Sequence, residues 1–126
     1  APDPDAPKAA GTLMAHYAPR AKVRLLNEQE LDDALDVLEA QLPRRPTESH
    51  QWVVAVYSRS LWAHRAPHPG VLHHPMPADA RTAAHDLFAD LRDMDGHGVG
   101  DIWVEAPPDD PAWDGVRDRL MRAAAS

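Results

Sequence analysis

The 126-residue sequence contains no cysteine and no long apolar run, and its 13 basic residues are outnumbered by 20 acidic ones. The absence of cysteine excludes disulfides, thiolate chemistry and cysteine-based zinc sites. Without an 18-residue apolar run or a signal-like segment, we expect a cytoplasmic protein with no membrane partner. A net charge of -7 repels phosphate backbones, so direct nucleic-acid binding is not expected either.

Two parts of the chain differ in composition. Residues 1–21 are rich in proline and alanine and have no apolar periodicity, which predicts an extended linker, here called the leader. The chain begins with APDPDAPKAA and no initiator methionine, as expected of a fragment or processed product that starts in a linker. Residues 22–126 are long enough to form one domain with its own core.

Alternating strand and helix patterns run through residues 22–126. Strands are predicted at 23–26, 52–57, 71–74 and 101–105, and helices from Asn27, from Pro77 or Asp79, and from Asp110. This order predicts an α/β fold, a three-layer Rossmann-like sandwich with a mostly parallel sheet and right-handed crossovers, preceded by the extended leader. The continuous apolar run WVVAVY should lie in the middle of the sheet.

On the first predicted helix, apolar residues share one face and acidic residues occupy the other. The apolar positions are Leu31, Ala34, Leu35, Leu38 and Leu42, and the acidic ones are Asp32, Asp33, Asp36 and Glu39. We expect the apolar face to pack on the sheet and the acids to form a solvated face.

The leader contains a compact polar and aromatic motif, GTLMAHYAP, at residues 11–19. A segment without core-forming periodicity has little structural need for adjacent His16 and Tyr17, so the motif is interpreted as a docking element. The alternative is that these two side chains only pack the leader onto its own domain.

Ser58 and Arg59 follow the predicted central strand. Because α/β folds bind ligands at the carboxyl ends of parallel strands, this pair is the best candidate for a small-anion or regulatory nucleotide site. The alternative is a turn-capping serine beside a solvated arginine. No G-x-S-x-G elbow surrounds Ser58, so hydrolase chemistry is not expected.

Glycine, histidine and tryptophan provide weaker signals. The GHGVG segment at 96–100 follows a helix and precedes a strand, which indicates a helix C-cap and turn and argues against a phosphate loop. Four histidines could bind zinc through neutral imidazoles, but a histidine-rich surface loop explains them more simply, and no metal site is predicted. Those histidines are His64, His68, His73 and His74.

Trp103 and Trp113 are expected in the core and Trp62 on the surface.

The leader and body together resemble the linker and C-terminal domain of the long, two-domain form of threonylcarbamoyl-AMP synthase. The linker positions that match are Gly11, Thr12, His16, Tyr17, Ala18 and Pro19, whereas Ala9 and Ala10 replace the usual Ser-Pro. The resemblance continues in VVAVYSRS, in DARTAAHDLFADLRDMD before DIWVEA, and in the closing WDGVRDRLMRAA.

This resemblance implies a reaction carried out in another domain. In the family, a YrdC-like domain holds ATP, threonine and magnesium and, as a nucleotidyltransferase, makes threonylcarbamoyl-AMP from threonine, bicarbonate and ATP. A partner transferase then passes the threonylcarbamoyl group to tRNA. The YrdC-like domain is absent from this sequence, so the resemblance implies a chain that binds no cofactor and is inactive alone.

The resemblance also implies a role for the leader. Gly11, Thr12, His16, Tyr17 and Pro19 would lie across the mouth of the catalytic cavity in cis and gate it. The alternative function is an independent small-ligand or protein-binding α/β module without catalysis.

Overall fold

The computed structural model describes residues 19–43 and 52–125, which form a three-layer α/β sandwich. In chain order the elements are β1 (Lys22–Leu26), α1 (Glu28–Gln41), β2 (Val54–Ser58), a first 3₁₀ turn (Leu61–Ala63), β3 (Val71–Pro75), α2 (Ala80–Gly96), β4 (Asp101–Glu105), a second 3₁₀ turn (Pro111–Trp113) and α3 (Asp114–Ala125). This sequence of elements confirms the predicted order. Within the described ranges, no helix is both long and apolar enough to cross a membrane.

Side-chain caps start the helices. Asn27 accepts a hydrogen bond from the Glu30 backbone N–H, and Glu30 accepts one from the Asn27 backbone N–H, so the predicted capping box is confirmed. Asp79 caps α2 through the Thr82 N–H. Asp110 caps the second 3₁₀ turn, so α3 itself begins one turn later than predicted.

The four strands form one sheet in the spatial order β1-β4-β2-β3, and every pair is parallel. All five residues of β2 are buried, which confirms the prediction of a central strand. The strand begins at Val54 and not at Trp52, because the β3 and β4 partners of the ladder begin opposite Val54.

Two apolar clusters lie on opposite faces of the sheet. On one face, Ala55 and Tyr57 of β2 pack with α2 and α3; on the other, Val54 and Val56 pack with α1. The two helical crossovers, β1-α1-β2 and β3-α2-β4, run in opposite directions across the sheet and lie on opposite faces. Crossovers of the same hand produce this arrangement.

The helix faces agree with the periodicity of the sequence. Leu31 and Leu35 of α1 are fully buried. In α2, Ala83 is buried, and Ala84 is half-buried and packs against the larger apolar cluster. Trp113 is in the core as predicted.

Trp62 and Trp103 differ from the expectation. Both are half-buried and pack against the smaller apolar cluster, so Trp62 is not a surface residue and Trp103 is not fully in the core. The Trp62 ring lies 3.6 Å from the His73 ring, centroid to centroid.

Tyr57 is the largest fully buried side chain, and its hydroxyl has one acidic partner on α2. The hydroxyl donates to Asp90 Oδ2 at 2.5 Å. Burial, and then the hydrogen bond to Asp90, raises the pKa of Tyr57 above its usual value. Tyr57 is therefore neutral at every physiological pH and ties β2 to α2.

Gly98 confirms that the GHGVG segment is a helix end and not a phosphate loop. Helix α2 ends at Gly96, and Gly98 has φ +77°, in the left-handed region. Its N–H donates to Asp95 O at 3.2 Å, which closes the turn that leads into β4.

We expect Gly98→Ala to lower the free energy of unfolding by about 1–2 kcal/mol, because alanine is strained at this φ. The matched control is Gly96→Ala in the last helical position, which should raise the free energy of unfolding by about 0.5–1 kcal/mol. A Cβ added at either position has no other atom within 4 Å, so steric clashes do not contribute to the difference between the two variants. Urea unfolding followed by tryptophan fluorescence measures both, and effects of the same sign would contradict the assignment.

Candidate functional site

The carboxyl ends of β1, β4 and β2 form a topological switch point. β1 leads into α1 on one face of the sheet, β4 leads toward α3 on the opposite face, and β2 leads into a turn on the α1 face. Open α/β sheets bind ligands in crevices of this kind. Here the crevice contains the carboxyl-edge cluster, which we define as Glu28, Ser58, Arg59, Ser60, His64 and Glu105.

Glu105, the last residue of β4, is the centre of the carboxyl-edge cluster and is 6% exposed. Its Oε1 accepts hydrogen bonds from Ser58 Oγ at 2.7 Å, from the Arg59 backbone N–H at 2.9 Å and from the Ser60 backbone N–H at 3.1 Å. Its Oε2 accepts from Arg59 Nη2 at 2.9 Å and lies 2.9 Å from Ser60 Oγ. One carboxylate therefore holds the whole turn that follows β2.

These contacts set the protonation state of Glu105. Burial by itself raises its pKa, but hydrogen bonds from Ser58 and Ser60, together with the Arg59 charge, outweigh burial and hold the pKa below its ordinary value of 4.5. Glu105 is therefore a carboxylate at neutral pH and a poor proton acceptor.

Ser58 and Arg59, the predicted ligand-site residues, lie at the carboxyl end of the sheet as expected, but their polar groups contact the protein. Ser58 Oγ accepts from the Leu61 N–H at 3.1 Å, so Ser58 caps the first 3₁₀ turn. Arg59 Nη2 also donates to Ala106 O at 2.7 Å, and the guanidinium lies 5.4 Å from the Trp113 ring centroid. With its side chain 15% exposed, Arg59 is not the solvated arginine of the alternative interpretation.

Glu28 and His64 form the outer side of the carboxyl-edge cluster. Glu28 Oε2 lies 2.5 Å from Ser60 Oγ and 3.2 Å from His64 Nε2. The Ser60 hydroxyl has one proton and two carboxylate neighbours, Glu28 and Glu105, so it donates to only one of them at a time. Hydrogen bonds from Ser60 and His64 lower the pKa of Glu28, which is exposed.

The polar groups of the carboxyl-edge cluster are bonded mainly to one another. Ser58 donates to a carboxylate of lowered pKa, which is a weak base, so the serine is not activated. The Arg59 charge is paired with Glu105, and the exposed Glu28 carboxylate adds a negative charge beside it.

The four candidate zinc-binding histidines make separate contacts. His64 contacts Glu28, His68 accepts from the Gly70 N–H at 2.9 Å, His73 stacks on Trp62, and His74 Nε2 lies 3.7 Å from Asp90 Oδ1. Within residues 19–43 and 52–125, no group of three histidine or acidic side chains is close enough to hold a metal ion.

Sequence reasoning missed two features. The first is Glu105, although an acidic residue at the carboxyl end of an apolar strand was a visible signal. The second is Arg65, whose Nη1 contacts Asp32 at 2.7 Å and Asp36 at 2.8 Å and whose Nη2 contacts Glu39 at 3.1 Å. The acidic face of α1 is therefore not simply solvated, because an arginine from the loop after β2 neutralises part of it.

Of the leader motif, only Pro19 falls within the described residues, and it is half-buried. Gly11, Thr12, His16 and Tyr17 lie outside them, so their gating role stays a prediction. The boundary between residues 1–21 and 22–126 also stays a prediction.

The fold and the carboxyl-edge cluster define a class of α/β domain: a parallel sandwich whose switch point is occupied by its own ion pair. Comparison with known proteins identifies the family. Residues 1–125 match the family described as threonylcarbamoyl-AMP synthase, C-terminal domain, and the chain belongs to this family.

A curated relative supports the same family. The chain is 30% identical over 122 residues to the threonylcarbamoyl-AMP synthase of Schizosaccharomyces pombe (strain 972 / ATCC 24843). This match covers 94% of the chain and 30% of the relative's length. No solved structure matches the chain.

Proposed function

We propose that this chain is the linker and C-terminal accessory domain of a two-domain threonylcarbamoyl-AMP synthase that acts in the cytoplasm. The observation that carries the proposal is the family match over residues 1–125, because it covers the leader and the folded body together. In this proposal a YrdC-like catalytic domain in cis performs the nucleotidyl transfer. Its product is threonylcarbamoyl-AMP, which a downstream transferase uses to modify tRNA.

The charges of the carboxyl-edge cluster support a chain that is inactive by itself. Phosphoryl chemistry needs free cations placed around the phosphates. Arg59, the arginine of the cluster, is already paired with Glu105 and the Ala106 carbonyl. ATP and magnesium, which supply the adenylyl group and its charge neutralisation, would therefore bind in the catalytic domain.

The leader is then the part of this chain that acts on the reaction. Its His16 and Tyr17 would contact nucleotide or substrate at the mouth of the catalytic cavity and shield the reactive adenylate from water. The folded body would hold the leader in place, which the hydrogen bonds from the backbone N–H groups of residues 20 and 21 to Asp95 of α2 support.

The test is a double substitution in the full-length parent protein. We expect His16→Ala with Tyr17→Phe to lower the yield of threonylcarbamoyl-AMP by roughly 10- to 100-fold, because misplacing a group that closes a reaction cavity has effects of this size. The yield is measured by chromatography of the adenylate, and circular dichroism checks that the C-terminal domain remains folded.

A matched control changes the same leader outside the motif. Asp5→Ala with Lys8→Ala preserves the net charge and should leave the yield unchanged. A normal yield from the His16 and Tyr17 variant would remove the gating role.

A further inference from the structure

Strand β1 is one of the two edges of the sheet, and its outer side carries free backbone groups. In the order β1-β4-β2-β3, β1 pairs only with β4. The Lys22 N–H donates to Gly100 O at 2.9 Å, so Lys22 directs its backbone groups toward β4. Because successive residues of a strand point these groups to opposite sides, Val23 and Leu25 direct theirs outward.

These outward groups are unpaired in the part of the chain that the structure describes. Within residues 19–43 and 52–125, neither the Val23 nor the Leu25 N–H has a hydrogen-bond partner. The preceding outward N–H, that of Ala21, donates to Asp95 Oδ1 at 2.8 Å. Two successive outward positions of β1 are therefore available to another strand.

The opposite edge of the sheet, β3, is mostly closed. The Met76 N–H, just after β3, donates to β2 at 2.9 Å, so Val71, His73 and Pro75 point outward. The Val71 N–H donates to His68 O at 3.0 Å, and proline has no N–H. Only the His73 N–H remains for pairing on this side, so of the two edges β1 is the better suited to accept a strand.

Three exposed cations follow the open edge: Arg20 just before β1, and Lys22 and Arg24 within it. The residues that alternate with them pack into the larger apolar cluster on the opposite face. None of the three cations forms an ion pair with a described residue. Asp101, the register partner of Lys22, is on β4 and thus on the inner side of β1. We call these three cations and the outward backbone groups of β1 the basic edge.

The charge of the basic edge is opposite to that of the whole chain, which is -7. Unpaired cations attract an acidic partner and repel a basic one. A second copy of the chain does not fit, because antiparallel pairing of β1 with β1 in one continuous sheet would bring Lys22 and Arg24 beside the same cations. Cations on an edge strand oppose self-pairing in this way.

We propose that the basic edge is a docking site for an extended acidic segment of a partner protein, which pairs with β1 as a fifth strand of the sheet. The N–H and C=O groups of Val23 and Leu25 bond to the backbone of the segment, and its acidic side chains lie beside Lys22 and Arg24. Strand addition takes affinity from the backbone and selectivity from alternate side chains.

The two faces of β1 define the sequence of such a segment. Acidic residues are required on the face of Lys22 and Arg24, and apolar residues are favoured on the other face, where Leu25 is half-buried. The segment therefore alternates acidic and apolar residues. This inference is independent of the proposed function, because it uses only β1 and its neighbours.

The experiment uses the 126-residue chain and a blocked peptide of alternating glutamate and valine, slightly longer than β1. In an NMR titration of the isotope-labelled chain, the Val23 and Leu25 N–H signals should shift. Their exchange with solvent should slow at least about 5-fold near saturation, because exchange needs an N–H free of hydrogen bonds. The His73 N–H on β3 should not change. A peptide with lysine in place of glutamate should bind at least about 10-fold more weakly.

Charge reversal tests the role of the cations. Lys22→Glu with Arg24→Glu should weaken binding of the glutamate peptide about 10-fold and strengthen binding of the lysine peptide. The matched control is Arg81→Glu with Arg92→Glu, which makes the same change in net charge at exposed positions of α2. It should leave both affinities within about 2-fold, because distant surface charges are screened.

A milder variant covers the case in which the charge reversal does not fold, which circular dichroism checks. Lys22→Gln with Arg24→Gln removes the charges without reversing them, and it should weaken binding of the glutamate peptide by about 3- to 5-fold.

Several outcomes would overturn the inference. One is the absence of binding up to about 1 mM glutamate peptide. Another is binding that leaves exchange at Val23 and Leu25 unchanged, or that survives charge reversal. A dimer in sedimentation equilibrium that protects the same N–H groups would show that a second copy occupies the edge. Tighter binding of a single-stranded oligonucleotide than of the glutamate peptide would show a nucleic-acid surface instead.

Discussion

Replacing Glu105 with alanine is expected to lower the free energy of unfolding by about 3–5 kcal/mol, the range for breaking a buried ion pair by removing one partner. The variant leaves the Arg59 guanidinium without its carboxylate partner while its side chain is 15% exposed. It also leaves the Ser58 hydroxyl and two backbone N–H groups without their acceptor. Urea unfolding followed by tryptophan fluorescence measures the loss.

The matched control for this variant is Glu28→Ala. Glu28 has the same charge and contacts the same Ser60 hydroxyl, but it is exposed. Exposed ion pairs contribute little to stability, so the control should lose much less. Similar losses in the two variants would show that Glu105 does not organise the carboxyl-edge cluster.

The pH dependence of stability provides a separate measurement on Glu105. The pKa of Glu105 is lower in the folded chain than the ordinary 4.5 of the unfolded chain. At pH values between these two pKa values, the unfolded chain therefore binds more protons than the folded chain. The contribution of Glu105 is therefore present above about pH 4.5 and is lost as the pH falls through the folded pKa.

Glu105→Gln removes this titration. We expect the stability difference between the unsubstituted chain and Glu105→Gln to be largest at neutral pH and to shrink as the pH falls below about 4.5. Asp79, whose pKa is also lowered, is present in both proteins and cancels in the difference, whereas Glu28 shares the Ser60 hydroxyl with Glu105 and is tested separately by Glu28→Ala. A difference independent of pH would contradict the assigned role.

Trp113→Ala is expected to lower the free energy of unfolding by about 3–5 kcal/mol, the usual loss for a large aromatic core residue. Trp113 is 6% exposed, belongs to the larger apolar cluster and lies beneath the Arg59 guanidinium. Its loss opens a cavity between α3 and the sheet and removes a cation–π contact. Calorimetry or urea unfolding measures the change.

The control for Trp113 lies on the helix that follows it. Met121 of α3 is 56% exposed, so Met121→Ala should change the stability by no more than about 0.5 kcal/mol. A double-mutant cycle that combines Trp113→Ala with Arg59→Ala measures the coupling energy between the two side chains, for which we expect roughly 0.5–2 kcal/mol. Additive losses would show that the Arg59–Trp113 contact contributes nothing.

Features decided by neighbouring residues could be predicted from the sequence. The Asn27–Glu30 capping box involves residues three positions apart, and the left-handed turn at Gly98 depends on one residue's backbone freedom. The apolar faces of α1 and α2 follow from helical periodicity. How deeply each position is buried, such as Ala83 buried and Ala84 half-buried, depends on packing against the sheet, which periodicity does not fix.

The candidate site could be predicted only in part. The position of Ser58 and Arg59 at a carboxyl end follows from the parallel arrangement of strands, which the sequence indicates. The identity of their partner does not follow from the sequence, because Glu105 lies 46 or 47 residues later and contacts them only when β4 is adjacent to β2. The same limit applies to Arg65 and to its acidic partners on α1.

The sequence by itself determined the α/β class, the order of strands and helices and, through the leader motif and later segments, the correct family. These properties follow from short stretches of residues, because periodicity, capping and motif spacing depend on residues that are close together in the sequence. Only the tertiary structure decided the strand order β1-β4-β2-β3, the pairing of Arg59 with Glu105 and the hold of Asp95 on residues 20 and 21. These contacts join residues far apart in the chain, and no local preference selects among the many ways of bringing such residues together.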